Sequence, residues 1–420
     1  MQAPNILKDQ VFRAKLFDGQ VQSVSLCKVL ALLSDDEIES FPSLRPHQRH
    51  AWHAFLAQLA TMALHESRNT DIPRSPEVWR NLLRNLTQKF PQDEPWQLIV
   101  EDTRLPAFMQ PPAGPDLRDY KGSCRSPDDL DVLVTSKNHD VKQTIAQEPL
   151  TEDWIFALIS LQTMAGFLGQ GNYGIARMNG GFSSRSSIGI YPAEGGCGAH
   201  LFHDVRRMID GRNRLLQEYP NYYQGSGGIG LLWLHPWDGK KSLSLNQLDP
   251  YFIEICRRVR LVPAGNSWTA ITAGSKAARI EANAAKGNIG DFWVPVSRAE
   301  KDTKALSVSS ASFTYKKLQE LLLDHSKFKQ PRSMEIDSAP KSRWRVVARG
   351  IAAGQGKTEG YHERSNILFS GKTAPSLFCE TSAHKALALV SEALMEEIGE
   401  VSKALRRGIV VAASGGRRDR

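Results

Sequence analysis

Apolar residues recur at helical spacing in three stretches of this chain. In RPHQRHAWHAFLAQLATMALHES (Arg45–Ser67), the residues Trp52, Phe55, Leu56, Leu59, Met62 and Ala63 fall on one face, which predicts an amphipathic helix. Thr151–Leu168 repeats the pattern with Trp154, Ile155, Leu158, Leu161 and Ala165. Ser382–Arg407 gives the third helix, with Thr381 or Ser382 as N-cap and Lys403, Arg406 and Arg407 opposing the dipole at its end. A shorter helix is expected over Pro76–Gln88, where proline suits the first turn.

Between these helices the pattern breaks. Leu105–Tyr120 carries PAFMQPPAGP, too rich in proline for regular structure, and Lys121–Glu148 is polar and loop-like. A Gly-rich irregular run begins at Gly169. Short β-like runs follow at Gly230–Leu234, Arg258–Val262, Trp268–Thr272 and Phe292–Val296. RWRVVA (Arg343–Ala348) and Asn366–Phe369 read as a hairpin with a long Gly-rich tip between them. The expected fold class is α+β: a large mixed domain with Gly-rich loops and short strands over residues 1–370. A short C-terminal helical segment over 371–420 follows it.

Composition narrows the classes. The chain has 420 residues, 41% hydrophobic and 23% charged, which excludes disorder and fibrous repeats. Fifty-three Lys and Arg against forty-five Asp and Glu leave +8, a mild bias toward an acidic partner. The longest uncharged stretch, Trp154–Ala176, is interrupted by polar residues and glycines, and the N-terminus shows no secretory pattern. A cytoplasmic protein is expected. Five widely spaced cysteines, without a C-x-x-C, argue against a disulfide scaffold or a zinc ribbon.

Candidate chemistry clusters around two basic, Gly-rich regions. Lys341, Arg343, Arg345, Arg349, Lys357 and Arg364 surround GQGKT at Gly354–Thr358, with 343 and 345 on one strand face. Arg257, Arg258, Arg260, Lys276 and Arg279 form the second group. Two such groups beside Gly-rich loops suggest a phosphate-contacting surface. GQGKT also resembles the end of a P-loop, but the position five before its Gly-Lys pair is Ile351, not glycine. His47, His50 and His53 recur at three-residue spacing without a completing ligand set. TSKNHDVKQ (Thr135–Gln143) places Lys137, Asn138, His139 and Lys142 in one polar loop suited to phosphate and base-edge contacts.

KNHDVKQ, GQGNYGIARMNGGFSSR and RGIAAGQGKTEGYHER together resemble the large subunit of the type I-E CRISPR Cascade complex, the CasA family. The order of landmarks agrees: the RPHQ helix, the PAFMQ loop, the Gly-rich loop, the W-x-P segment at Trp293–Pro295 and the glutamine-bearing hairpin. The resemblance spans about residues 1–370.

It implies a reader and wedge of an RNA-guided complex in antiviral defence, not a catalyst, with no cofactor and no metal. Such a subunit binds the protospacer-adjacent motif in double-stranded target DNA, starts strand separation and R-loop formation, and helps recruit a helicase-nuclease effector. Its implied partners are crRNA, that DNA, the effector, and the backbone, small and RNA-end-binding subunits, with no membrane. By the resemblance the wedge falls on Gln355 between Gly354 and Gly356, with Lys357 beside it. The glycine loop falls on Arg177, Met178, Asn179 and Gly180, and the lysine contact on Lys276. The loop holding Lys137, Asn138, His139 and Lys142 falls near the RNA end or the DNA.

Two departures stand out. Arg-Met-Asn-Gly replaces an almost all-glycine run, so Arg177 and Asn179 are expected to add minor-groove hydrogen bonds. The family's four-helix C-terminal bundle is expected here as one helix, either truncated or completed by another subunit. The competing readings are a diverged nucleotide hydrolase using Gly356, Lys357 and Thr358, and a generic basic RNA-binding protein.

Overall fold

The computed structural model describes residues 4–69, 71–133, 148–265, 267–298, 303–335, 343–355, 357–370 and 382–415. Its architecture is mixed α+β. The helices among the described residues are α1 (Leu26–Ser34), α2 (Arg49–Glu66), α3 (Pro76–Asn85), α4 (Pro127–Leu130), α5 (Thr151–Met164), α6 (Cys197–Glu218), α7 (Tyr315–Leu323) and α8 (Ser382–Ala413). The strands used below are β1 (Phe12–Leu16), β2 (Val21–Val24), β3 (Ile38–Ser40), β4 (Gly122–Cys124), β5 (Ser187–Pro192), β6 (Arg258–Ala264), β7 (Ser267–Ala273), β8 (Arg343–Gly354) and β9 (Lys357–Ser370). They form three small sheets in the orders β2-β1-β3, β4-β7-β6 and β9-β8-β5.

Helices α2 and α5 lie at the centre of the main core, and both are buried nearly all round rather than along one face. The polar residues on their other faces are there to bind backbone. Gln58 donates to the Tyr251 and Phe252 carbonyls at 3.2 and 2.7 Å. Gln162 donates to the Met109 and Arg257 carbonyls, both at 3.0 Å, and accepts from the Cys256 and Arg257 amides. The amide side chain thus stitches two segments distant in sequence to one helix. Leaving such buried groups unpaired would cost roughly 1–3 kcal/mol each.

Helix α5 ends at Met164, four residues before the predicted Leu168. A Cβ on Gly166 would meet the Ser183 carbonyl oxygen at 2.2 Å, so the Gly-rich segment passes directly against the chain here. Helix α6 has no counterpart in the sequence reading. Its apolar stripe, Leu201, Phe202, Val205, Met208 and Leu215, is diluted by charged neighbours. The run Phe292–Val296 is not the expected strand. Asp291 accepts from the Trp293 and Val294 amides at 2.9 and 3.1 Å, folding the run into a turn that leaves only Val296–Ser297 extended.

A second, smaller core lies under β8. Trp344, Val346 and Ala348 point into it with Ile188, Ile190, Phe313 and Leu318. The hairpin tip is shorter than expected: the β8–β9 ladder continues to the pair Gly354–Lys357, with a register shift between Ala352 and Ala353. GIAA and TEGYHER are strand, not loop.

Among the described residues α8 meets the body at its start, where the His384 ring bonds the Leu323 carbonyl at 3.0 Å and packs on His325. Beyond that its apolar stripe, including Leu394, Ile398, Val401 and Leu405, is exposed. No helix among the described residues is long and apolar enough to cross a membrane. Chemical denaturation should therefore separate two classes of variant. Phe55→Ala, in the main core, is expected to cost about 3–5 kcal/mol. The double variant Leu394→Ala/Ile398→Ala should stay within ~0.5 kcal/mol of wild type.

Candidate nucleic-acid interface

The Gly-rich segment, the Lys276 loop and the β8–β9 hairpin are far apart in sequence but stitched into one surface. The Ser184 amide donates to the Ile351 carbonyl at 3.1 Å, and the Ile351 amide to Ser184 Oγ at 2.9 Å, fixing β8 to the Gly-rich segment. On its other side, the Ser275 amide donates to the Gly171 carbonyl at 3.0 Å and Tyr173 Oη to the Lys276 carbonyl at 3.2 Å. A cavity of about 500 Å³ opens where these segments meet, lined among others by Asp131, Gly171, Ser184, Gly274, Ile351 and Ala353.

Asp131 lines one side of that cavity. Its carboxylate binds His47 Nε2 at 2.7 Å and accepts from Gln48 Nε2 at 2.6 Å and the Leu133 amide at 3.0 Å. Burial pushes the carboxyl pKa up, but the His47 contact and these hydrogen bonds outweigh it and hold the pKa below the usual value. The RPHQ motif thus ties Asp131 to the start of α2. Lys137, Asn138, His139, Lys142 and Gly356 lie outside the described residues.

The tip presents Gln355 and Lys357 to solvent, with Gly354 half-buried beside them. This geometry excludes the P-loop reading. Lys357 and Thr358 begin a β-strand, whereas phosphate cradling needs that Lys-Thr pair to open a helix. Lys276 is likewise exposed.

The four-residue glycine-loop assignment changes. Arg177 is buried: its Nε lies 2.8 Å from Asp291, Nη1 lies 3.2 Å from Glu254, and Nη2 donates to the Phe252 carbonyl at 2.9 Å. Its guanidinium stacks 3.7 Å over the Phe252 ring. Met178 is buried as well. Asn179 donates to the Ala305 carbonyl and accepts from the Gly181 amide and Ser307 Oγ. Arg177, Met178 and Asn179 therefore hold the loop in place, and the expected minor-groove hydrogen bonds from Arg177 and Asn179 are withdrawn. Gly180 alone of the four is exposed, at φ 82° with open space where a Cβ would stand.

The second basic group is also internal. Arg257 donates to the Gly166 carbonyl at 2.9 Å and to the Tyr173 carbonyl. Arg258 reaches the Gly274 carbonyl, Arg260 those of Leu105 and Val100, and Arg279 those of His235 and Pro236. Five donors in a fork suit arginine to bracing irregular backbone, and Arg257 and Arg258 do so from the wall of the cavity. Lys276 is the one cation of that group left exposed.

The three helical histidines do not converge. His47 pairs with Asp131, and His53 with Asp204 at 2.8 Å. His50 stacks against Tyr361 of β9, ring centroids 6.3 Å apart. Among the described residues no group of His, Cys, Asp and Glu is arranged to hold a metal ion.

The arrangement defines an α+β scaffold that carries a projecting hairpin beside a braced Gly-rich loop. Its fold is that of the CasA (Cse1) proteins. It is similar to CasA of Thermus thermophilus at TM-score 0.64 and 16% identity, covering 100% of this chain and 82% of that one. Cse1 from Acidimicrobium ferrooxidans gives TM-score 0.55 at 13% identity, over 93% of this chain and 74% of that one. A chain of a CRISPR RNA-guided surveillance complex gives TM-score 0.59 at 12% identity, over 98% and 85%. No protein-family model matches the sequence, and no curated protein matches it.

Two measurements check this account. Arg177→Ala leaves Glu254 with its buried charge unpaired and should cost about 3–5 kcal/mol in denaturation, whereas Lys276→Ala should change stability by less than ~0.5 kcal/mol. The second concerns His50, whose burial pushes its pKa from 6.5 down to about 3. The unfolded chain then takes up a proton that the folded chain refuses, so stability falls as pH drops through that window, by up to ~1.4 kcal/mol per pH unit. The stability difference between His50→Leu and wild type should shift in the variant's favour across that window and be constant above about pH 7.

Proposed function

We propose that this chain is the large, DNA-tag-reading subunit of a type I-E-like CRISPR surveillance complex, and that it acts by binding rather than catalysis. The observation that carries this reading is the exposed, Gly-flanked Gln355 at the closed end of the β8–β9 ladder, in a chain that has the CasA fold throughout. The likeness to a chain of a CRISPR RNA-guided surveillance complex supports the same role. A wedge must be stiff along its length and small at its tip. The paired strands supply the first property, and the glycine neighbours supply the second.

In this mechanism Gly180 lets a duplex approach the Gly-rich loop, and Lys276 and Lys357 neutralise backbone phosphates. Gln355 enters between the first base pairs beside the motif. Guide RNA pairing then extends the opening while the cavity beside Asp131 and the loop after it face the RNA end. Partners on this reading are crRNA, target DNA, the other Cascade subunits and a helicase-nuclease.

The decisive experiment presents a duplex library, randomised beside one guide-matched target, to the reconstituted complex with and without this chain. Selection of a short motif at one fixed end supports tag reading. An equal gain for every sequence would reduce the chain to an electrostatic clamp. Within that assay, Gln355→Ala should leave binding intact and slow strand opening about tenfold, the equivalent of one stacking step of ~1.4 kcal/mol. Lys276→Ala should weaken binding for all sequences and lower the salt slope by about 1.

A further inference from the structure

The face of β8 turned away from the second core encloses a separate cavity. Trp344, Val346 and Ala348 point into that core, so Arg345, Val347 and Arg349 point the other way, toward α2. A cavity of about 270 Å³ lies between them, with Leu33, Phe41, Leu44, Trp52, Leu56 and Leu201 forming an apolar wall.

The polar groups of this cavity divide into used and unused. Arg349 lies 3.3 Å from Glu363, which also accepts from Tyr361 Oη at 2.7 Å. Glu39 pairs with Lys15 at 2.8 Å. His200 bonds the Pro192 carbonyl at 3.1 Å. Arg49 from α2 and Arg345 from β8 line the cavity without a hydrogen-bonded ion-pair partner among the described residues; Arg49 is exposed, and its charge acts on Glu363 from beyond ion-pair distance.

His53, also on the lining, is held by a buried carboxylate. Asp204 has no solvent exposure and one of its oxygens meets His53 Nε2 at 2.8 Å, Tyr191 Oη at 3.0 Å and Trp293 Nε1 at 2.8 Å. A carboxylate behind an imidazole fixes the orientation of the ring. Cys197 on the same lining donates to the Ile38 carbonyl at 3.0 Å, and burial pushes its thiol up to about 12, so it supplies no thiolate nucleophile.

We infer that this cavity is a binding site for a small organic anion, with an apolar body against the Trp52 wall and a phosphate or carboxylate head between Arg49, Arg345 and His53. Two unpaired guanidiniums beside an oriented imidazole match an anion with several acceptor oxygens. The apolar wall accounts for a body that inorganic phosphate lacks. Because Arg49 stands on α2 and Arg345 on β8, an occupant would tie the base of the hairpin to the main core. The inference stands on this cavity alone and is independent of the nucleic-acid reading.

The test is calorimetric titration of the full chain with phenyl phosphate, benzoate, inorganic phosphate and phenol. Phenyl phosphate or benzoate should bind saturably, at least tenfold tighter than inorganic phosphate or phenol, and whichever binds tighter identifies the head. Arg49→Ala and Arg345→Ala should each weaken that binding at least tenfold, with Lys403→Ala on α8 as the unaffected control. Circular dichroism would establish that each variant is folded. Absence of saturable binding by either organic anion would overturn the proposal, as would unchanged affinity in folded Arg49→Ala and Arg345→Ala.

Discussion

A buried ionic network around Asp291 positions the surface proposed to meet nucleic acid. Asp291 sits 2.8 Å from Arg177 and 2.5 Å from Arg185, and Glu254 accepts from Arg177 and from the Ala176 amide. Two cations and two anions inside the core are tolerable only when every member is paired, because each lone charge would lose its hydration without compensation. The network is thereby a strict positional constraint. It draws the Gly-rich segment, the turn of the W-x-P segment and the end of Leu248–Ile253 to one point. The exposed Gly180 follows from it: with Arg177 and Asn179 turned inward, the loop offers bare backbone to whatever approaches.

The same logic recurs in the arginines that brace irregular backbone. Long loops leave carbonyls that no helix or sheet satisfies, and a guanidinium can bridge several at once. Arg257, Arg260 and Arg279 each bind two or more such carbonyls, and Arg258 binds that of Gly274. A chain with so much loop would otherwise bury many unpaired acceptors. Net positive charge in this protein is thus partly a consequence of its irregular architecture and is not by itself a measure of affinity for nucleic acid.

Contacts of different kinds place the β8–β9 hairpin, the ladder of β8 with β5 among them. Its inner face packs into the second core through Trp344, Val346 and Ala348, and its backbone bonds Ser184. Its outer face meets α2 through Tyr361 stacked on His50. These contacts lie along its length and leave the tip free. On the proposed reading a lever so held would act at Gln355 without disturbing the core, and an occupant between Arg49 and Arg345 would add a further point of attachment near its base.

The sequence by itself determined the helices with strong periodicity, the pairing of the hairpin strands and the likeness to CasA. Those signals are local: they depend on spacing within a dozen or two residues, which hydrophobic burial and backbone geometry read directly. It also marked Gln355, Lys357 and Lys276, which the fold leaves exposed. It did not distinguish an arginine facing solvent from one facing carbonyls, because a Lys or Arg beside glycine reads the same in either setting. Arg177 illustrates this: its partners Glu254 and Asp291 lie 77 and 114 positions away, and only tertiary packing brings them within reach. Helix α6 was hidden for a related reason, since its narrow apolar stripe gains meaning only against α2. Tertiary structure decided which charges are internal braces and which remain to meet a partner, because desolvation is a property of the assembled core and not of any segment.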